Sequence, residues 1–318
     1  MKLDDSAEQI VKLIIDSGRP PMATLTANEA REVYRNSSKA LGGEKPEVAE
    51  TFDLRLETSS TTSVGLRLYR GKQLNEEAPQ PAIVFFHGGG WVIGDLETHD
   101  IPCRHLANKT SGTVIAVDYR LAPEHPFPAA ANDAISATKS IIASAEKLGI
   151  DPNRVAVAGD SAGGNLAAVV ALALRDCDLP DLRAQLLVYP ATDFANTHSS
   201  VESFAEQLPL TKSSIDWFAS HYVPDVTSHQ DWRASPLLAT DHAGLPPAFI
   251  MTAGFDPLQD EGQAYLDALK NAGVHTKHLF LPGQIHGCFT MGGFVPASLE
   301  IIDAMVAFVN ESADEGNQ

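Results

Sequence analysis

Six short apolar runs, separated by stretches long enough for a helix, dominate this 318-residue chain from its first third onward: Ala82–Phe86, Val114–Asp118, Val155–Ala158, Gln185–Tyr189, Ala248–Ala253 and His278–Leu281. Runs of four to six residues bounded by turn signals suit strands buried on both faces and are too short for helices. Helices are predicted between and after them at Cys103–Thr110, Ala130–Glu146, Asn165–Arg175, Gln263–Ala272 and Ser298–Glu311. Such a β-α-β series can bury its strands only in a mostly parallel sheet covered by helices on both faces, and ligands then gather at the carboxyl ends of the strands. Upstream, "TFDLRLET" and "VGLRLYR" alternate apolar and polar residues and predict two antiparallel strands, making eight in all. An α/β fold follows, with a helical cap from the segments that do not fit the series.

Two segments break the rhythm. Helical patterns at Ala7–Asp16 and Asn28–Ala40, split by the breaker "SGRPPM", precede the first strand. About sixty residues between Tyr189 and Ala248 contain no strand signal but include "SFAEQLPLTKSSIDWFASHYVP", one or two amphipathic helices rich in aromatics. A segment of that length with its own apolar face packs as a lid. The expected division is residues 1–45 and 191–240 as the two parts of a cap, with 46–190 and 241–318 as the core. Trp217, Phe218 and Tyr222 are candidate substrate-binding residues in the lid, although packing within it would use the same spacing.

Charge and cysteine content narrow the classes of partner. A formal net charge of −18 repels phosphate backbones and anionic membranes, so nucleic acid is excluded as a partner. No stretch approaches the twenty apolar residues of a membrane span, and the first residues lack the apolar core of an export signal. Cys103, Cys177 and Cys288 are odd in number and far apart, which argues against a disulfide framework or zinc site and for the cytoplasm. A homodimer is admitted as an assembly.

The chemistry is carried by four segments in order. In "VAVAGDSAGGNLAAVVALAL", Ser161 lies between a strand and a helix, with glycines two residues before and two after it. A turn that tight strains its central residue and requires neighbours without side chains, and it lifts the serine hydroxyl to the edge of the sheet at a helix N-terminus. "FFHGGGWVIGD" follows the strand Ala82–Phe86, and its glycines allow backbone N–H groups to approach a ligand. Gly88 and Gly89, with Ala162 after the nucleophile, are the candidate oxyanion donors. His87 is expected to hold this loop, while Trp91 and Asp160 are candidate substrate contacts. A serine needs a general base, and His286 in "LPGQIHGCFTM" falls in a loop at a strand's carboxyl end. The acid is expected at Asp256 in "MTAGFDPLQDEG", with Asp260 as the alternative because it fits the first turn of the next helix.

Together, "HGGGW", "GDSAGGN", "DPLQDEG" and "IHGCF" closely resemble the motifs of the hormone-sensitive-lipase-like bacterial esterases, in their GDSAG branch. The resemblance runs from Val64 to Phe308 and extends to the N-terminal cap helices. It implies an α/β-hydrolase fold, a Ser161, Asp256 and His286 triad, an oxyanion hole of Gly88, Gly89 and Ala162, and hydrolysis of short- to medium-chain esters with no cofactor or metal. "VDYRLAPEHPFPAA" is similar to a family segment that braces the site. Two departures stand out: Gln259 where the family commonly has arginine, and Cys288 where Gly-Phe often follows His-Gly directly. The same constellation would also serve amides or acetylated metabolites. Small-molecule receptors that look like this family have lost the histidine, and His286 is present here.

Overall fold

The computed structural model describes residues 2–58, 63–73, 78–204 and 208–315. One eight-stranded sheet runs through the molecule: β1 (Glu50–Glu57), β2 (Ser63–Arg70), β3 (Gln80–Phe86), β4 (Thr113–Asp118), β5 (Ile150–Asp160), β6 (Gln185–Val188), β7 (Ala248–Phe255) and β8 (Thr276–Ile285), in the order β1-β2-β4-β3-β5-β6-β7-β8. β2 pairs antiparallel with both β1 and β4, and all later pairs are parallel. β3, β4, β6, β7 and the second half of β5 (Val155–Asp160) are almost wholly buried, which is why they read as continuous apolar runs, whereas β1 alternates exposed and half-buried residues.

The helices are α1 (Asp5–Asp16), α2 (Ala27–Leu41), α3 (Asp100–Thr110), α4 (Ala129–Ala143), α5 (Ala145–Leu148), α6 (Ala162–Leu174), α7 (Ser199–Ser203), α8 (Lys212–Tyr222), α9 (Gln259–Asn271) and α10 (Ala297–Glu315). Two apolar clusters, one on each face of the sheet, form the core. The first joins Val84, Val157 and Leu187 to α4, α6 and α9, and the second joins Phe85, Ala158 and Phe249 to α3 and α10. α6 is buried on every side, as its alanine-rich sequence requires. The helix expected at 130–146 is two helices, interrupted at Ser144, and β8 extends four residues past Leu281. Between β6 and β7, α7 is a single short turn and α8 begins at Lys212; residues 205–207 of the expected helical stretch lie outside the described residues.

The N-terminal helices are tied to the core. Asp4 N–H donates to the Gly283 carbonyl on β8 at 2.9 Å. α2 starts with a capping box between Thr26 and Glu29. From α2, Arg31 donates to the Val92 and Ala122 carbonyls at 2.9 Å and ion-pairs with Glu124 at 2.6 Å. No helix among the described residues is long and apolar enough to cross a membrane.

Candidate active site

β5 carries the chain to Ser161, which has φ 56° and ψ −118°, a strained conformation for a residue with a side chain. Backbone bonds hold it there: Ser161 N–H donates to the Val188 carbonyl at 2.9 Å, and its own carbonyl accepts from Asn165 at 3.0 Å and Ala191 at 3.3 Å. Both flanking glycines are sterically required. A Cβ on Gly159 would lie 2.3 Å from the Gly163 backbone, and one on Gly163 would lie 1.9 Å from the Phe86 oxygen.

The hydroxyl of Ser161 is 2.9 Å from His286 Nε2, and His286 Nδ1 is 2.8 Å from Asp256 Oδ2. The three groups come from the carboxyl ends of β5, β7 and β8, two of them neighbours in the sheet. Asp256 is fully buried and its other oxygen accepts from the Leu258 N–H at 2.8 Å, so the carboxylate is fixed before it meets the ring. Asp260 faces elsewhere, accepting from the Ser200 N–H at 2.9 Å. Tyr189 packs its ring 4.5 Å from the imidazole. A hydroxyl bonded to an imidazole whose other nitrogen meets a buried carboxylate is an arrangement that can transfer the hydroxyl proton and stabilise the resulting imidazolium.

The glycine loop differs in detail from expectation. Gly88 does not present its N–H to the cavity: it donates to Asp160 Oδ1 at 2.9 Å, and a Cβ at Gly88 would lie 2.4 Å from the same carboxylate. Asp160 is buried and also meets His99 Nε2 at 3.0 Å. Burial alone would raise its pKa, but the histidine and the Gly88 N–H outweigh burial and hold the carboxyl below its ordinary value. Asp160 thus lines the cavity while anchoring the loop. The next two residues, Gly89 (φ 119°) and Gly90 (φ 57°), line the cavity beside Ser161. Their N–H groups and that of Ala162, at the first turn of α6, have no protein acceptor among the described residues.

His87 stacks on Tyr119 at 4.3 Å, contacts the Gly88 carbonyl at 2.8 Å through Nδ1, and sits under the Tyr119 hydroxyl, which donates to the His87 carbonyl at 2.7 Å. Burial, followed by the neighbouring His99, pushes its pKa down to about 4, so it is neutral. The segment 117–130 braces the loop through Tyr119 and through the Ala122 N–H, which donates to the Trp91 carbonyl at 2.9 Å.

The cavity above Ser161 measures about 190 Å³ and is walled by α1, α2, the glycine loop and α8. Of the candidate substrate contacts, Trp91, Asp160 and Phe218 line it. Trp217 and Tyr222 do not. On α8, Ser214, Ile215 and Phe218 share the cavity face, which turns Trp217 onto His221 (4.4 Å between rings) and leaves Tyr222 stacked on Trp91 (4.5 Å, 4° between planes). Residues without a sequence signal also line the cavity, notably Arg19, Tyr34 and Glu261. Glu261 is buried, accepts the Thr192 N–H at 2.6 Å, and has its pKa pushed up to about 8 by burial. His99 had no motif to announce it either, because its partner Asp160 is 61 residues away in sequence.

Residues 83–290 match the α/β-hydrolase fold family. The chain is 37% identical over 290 residues to the ethyl acetate hydrolase of Pseudomonas putida, covering 89% of this chain and 91% of that one. It is 38% identical over 301 residues to the carboxylesterase NlhH of Mycobacterium tuberculosis, covering 92% of each. Among solved structures, an ester hydrolase from the metagenome of Lake Arreo superposes with a TM-score of 0.92 at 44% identity over 99% of both chains. By motif order, sheet topology and these relatives, the chain belongs to the α/β-hydrolase family, in its hormone-sensitive-lipase-like branch of carboxylic ester hydrolases.

Proposed function

We propose that this protein hydrolyses short- to medium-chain carboxylic esters through an acyl-enzyme intermediate on Ser161. The observation that carries the reading is the unbroken chain Ser161 Oγ, His286, Asp256, at 2.9 and 2.8 Å, at the base of a small cavity. His286 Nε2 takes the hydroxyl proton as Oγ attacks the ester carbonyl, and Asp256 fixes the tautomer and stabilises the imidazolium. The imidazolium then protonates the leaving alcohol. Water, activated by the same nitrogen, releases the carboxylic acid and restores the serine. The oxyanion receives N–H bonds from Gly89, Gly90 and Ala162. Gly90 replaces Gly88 in this set because the Gly88 N–H is committed to Asp160. Each such donor is worth about 2.7–4 kcal/mol of barrier.

A cavity of about 190 Å³ lies below the roughly 300–1,000 Å³ typical of sites for drug-sized ligands, which favours short acyl chains over triglycerides. Residues 1–45 and 191–240 serve as the two-part cap that encloses the substrate, and 46–190 with 241–318 as the catalytic core. The three unpaired cysteines suit the cytoplasm. The test is incubation with an alkyl p-nitrophenyl phosphonate followed by mass analysis. The adduct should map to Ser161, and Ser161→Ala should remain unlabelled and lose at least three orders of magnitude of kcat on nitrophenyl butyrate. Labelling elsewhere, with activity retained in Ser161→Ala, refutes the assignment.

A further inference from the structure

We propose that Arg19 is a specificity-determining residue that binds a carboxylate carried by the substrate, so that this pocket takes esters with an anionic end, of the class of dicarboxylic acid half-esters. The inference rests on the esterase reading above and concerns what fills the rest of the cavity. Arg19 follows α1 in the turn at Gly18 (φ 59°) and precedes Pro20 and Pro21, so the chain around it has little freedom. With Ile14 and Met22 on either side, it forms part of the wall of the cavity that holds Ser161 and His286. It is the one lysine or arginine lining that cavity among the described residues.

What sets Arg19 apart is that its charge is unanswered. Arg31, Arg67, Arg104 and Arg120 each sit against a carboxylate at 2.6–2.8 Å. Arg19 is half-buried, and among the described residues its guanidinium has neither an ion-pair partner nor a hydrogen-bond acceptor. Burial depresses its pKa with nothing to offset it, though a guanidinium remains charged at neutral pH. The carboxylates that share the cavity are not available to it. Asp160 is taken by Gly88 and His99, and Asp193 by Asn196 at 2.8 Å and His198 at 3.1 Å. Glu261 accepts from Thr192, and a pKa near 8 leaves it mostly uncharged at neutral pH. The cavity therefore holds a cation without a counterion, in a protein with 41 acidic and 23 basic residues. A planar fork of N–H donors fits a carboxylate in a bidentate manner, and a ligand carboxylate would supply the missing partner.

The experiment compares ethyl hydrogen succinate, glutarate, adipate and suberate with the ethyl esters of butanoic, pentanoic, hexanoic and octanoic acids, in wild type, Arg19→Gln and Arg19→Lys. At least one half-ester should exceed its neutral counterpart in kcat/KM in the wild type. That ratio should fall tenfold or more in Arg19→Gln, a change of about 1.4 kcal/mol. The loss should appear in KM, because the carboxylate is held equally in ground and transition states, and Arg19→Lys should recover part of it. The neutral ester, assayed on the same preparation, reports whether each variant is folded. A ratio that is below one in wild type, or identical in wild type and Arg19→Gln, overturns the role of Arg19 and leaves the esterase reading standing. Failure of the wild type to cleave either series overturns both.

Discussion

At the residue scale, the proposed acid is separable from its neighbour by substitution. Asp256→Asn should lower kcat about 10⁴-fold because the amide presents the wrong partner to Nδ1, whereas Asp260→Asn, whose carboxylate binds the Ser200 N–H, should cost less than tenfold. Steady-state kinetics on nitrophenyl butyrate decide between them, and the opposite ranking would move the acid to Asp260. Glu261 gives a pH prediction. Its folded pKa of about 8 lies above the unfolded value of about 4.3, so the folded state keeps a proton that the unfolded chain gives up. The associated stability is complete below about pH 4.3 and is lost as pH rises through 8. Glu261→Gln keeps an acceptor for Thr192 and removes the titration. The stability of wild type relative to this variant, from urea melts, should therefore decline between pH 5 and 8 by on the order of a few kcal/mol; a flat difference would mean Glu261 ionises normally. Ser161, Asp256 and His286 were legible in the sequence because each sits at a strand end within a local turn signature. Glu261 and Arg19 were not, since nothing local tells an acid on a helix, or an arginine in a loop, that it will face a cavity.

At the scale of elements, α8 divides its aromatics between two tasks. Phe218 lines the cavity and closes against the glycine loop, where a Cβ on Gly90 would lie 2.3 Å from its ring. Phe218→Ala should enlarge the pocket and shift the optimum of a nitrophenyl ester series towards longer acyl chains. Trp217 packs against Phe218 and His221 instead. Its replacement by alanine should destabilise the fold by about 3–5 kcal/mol with little change in the chain-length profile, and a shifted profile would return Trp217 to the pocket. The periodicity of this segment announced an amphipathic helix without saying which aromatic faces substrate. That depends on the angle at which α8 lies across the loop, which no pattern within eleven residues encodes.

At the scale of the whole molecule, Arg31 connects α2 to the glycine loop and the segment after β4, donating to the Val92 and Ala122 carbonyls and pairing with Glu124. Arg31→Met keeps the bulk and strands those acceptors, so it should cost about 2–3 kcal/mol of stability and reduce kcat/KM for esters. Thermal melts and ester kinetics on the same preparation check this, and an unaffected rate would uncouple cap anchoring from the loop. The sequence by itself determined the α/β architecture, because the central strands must be apolar on both faces to lie within a covered sheet, and it located the tight strand-to-helix turn at Ser161, because only glycine fits two residues to either side of it. Only the tertiary structure decided which glycine N–H groups remain free. Asp160 and Gly88 are 72 residues apart, and the hydrogen bond between them exists because β3 and β5 are neighbours in the sheet. For the same reason the full cavity wall could not be assembled beforehand: Phe218 and His286 were candidates, but their meeting with Arg19 and Gly90 is a property of the packed layers and of no segment alone.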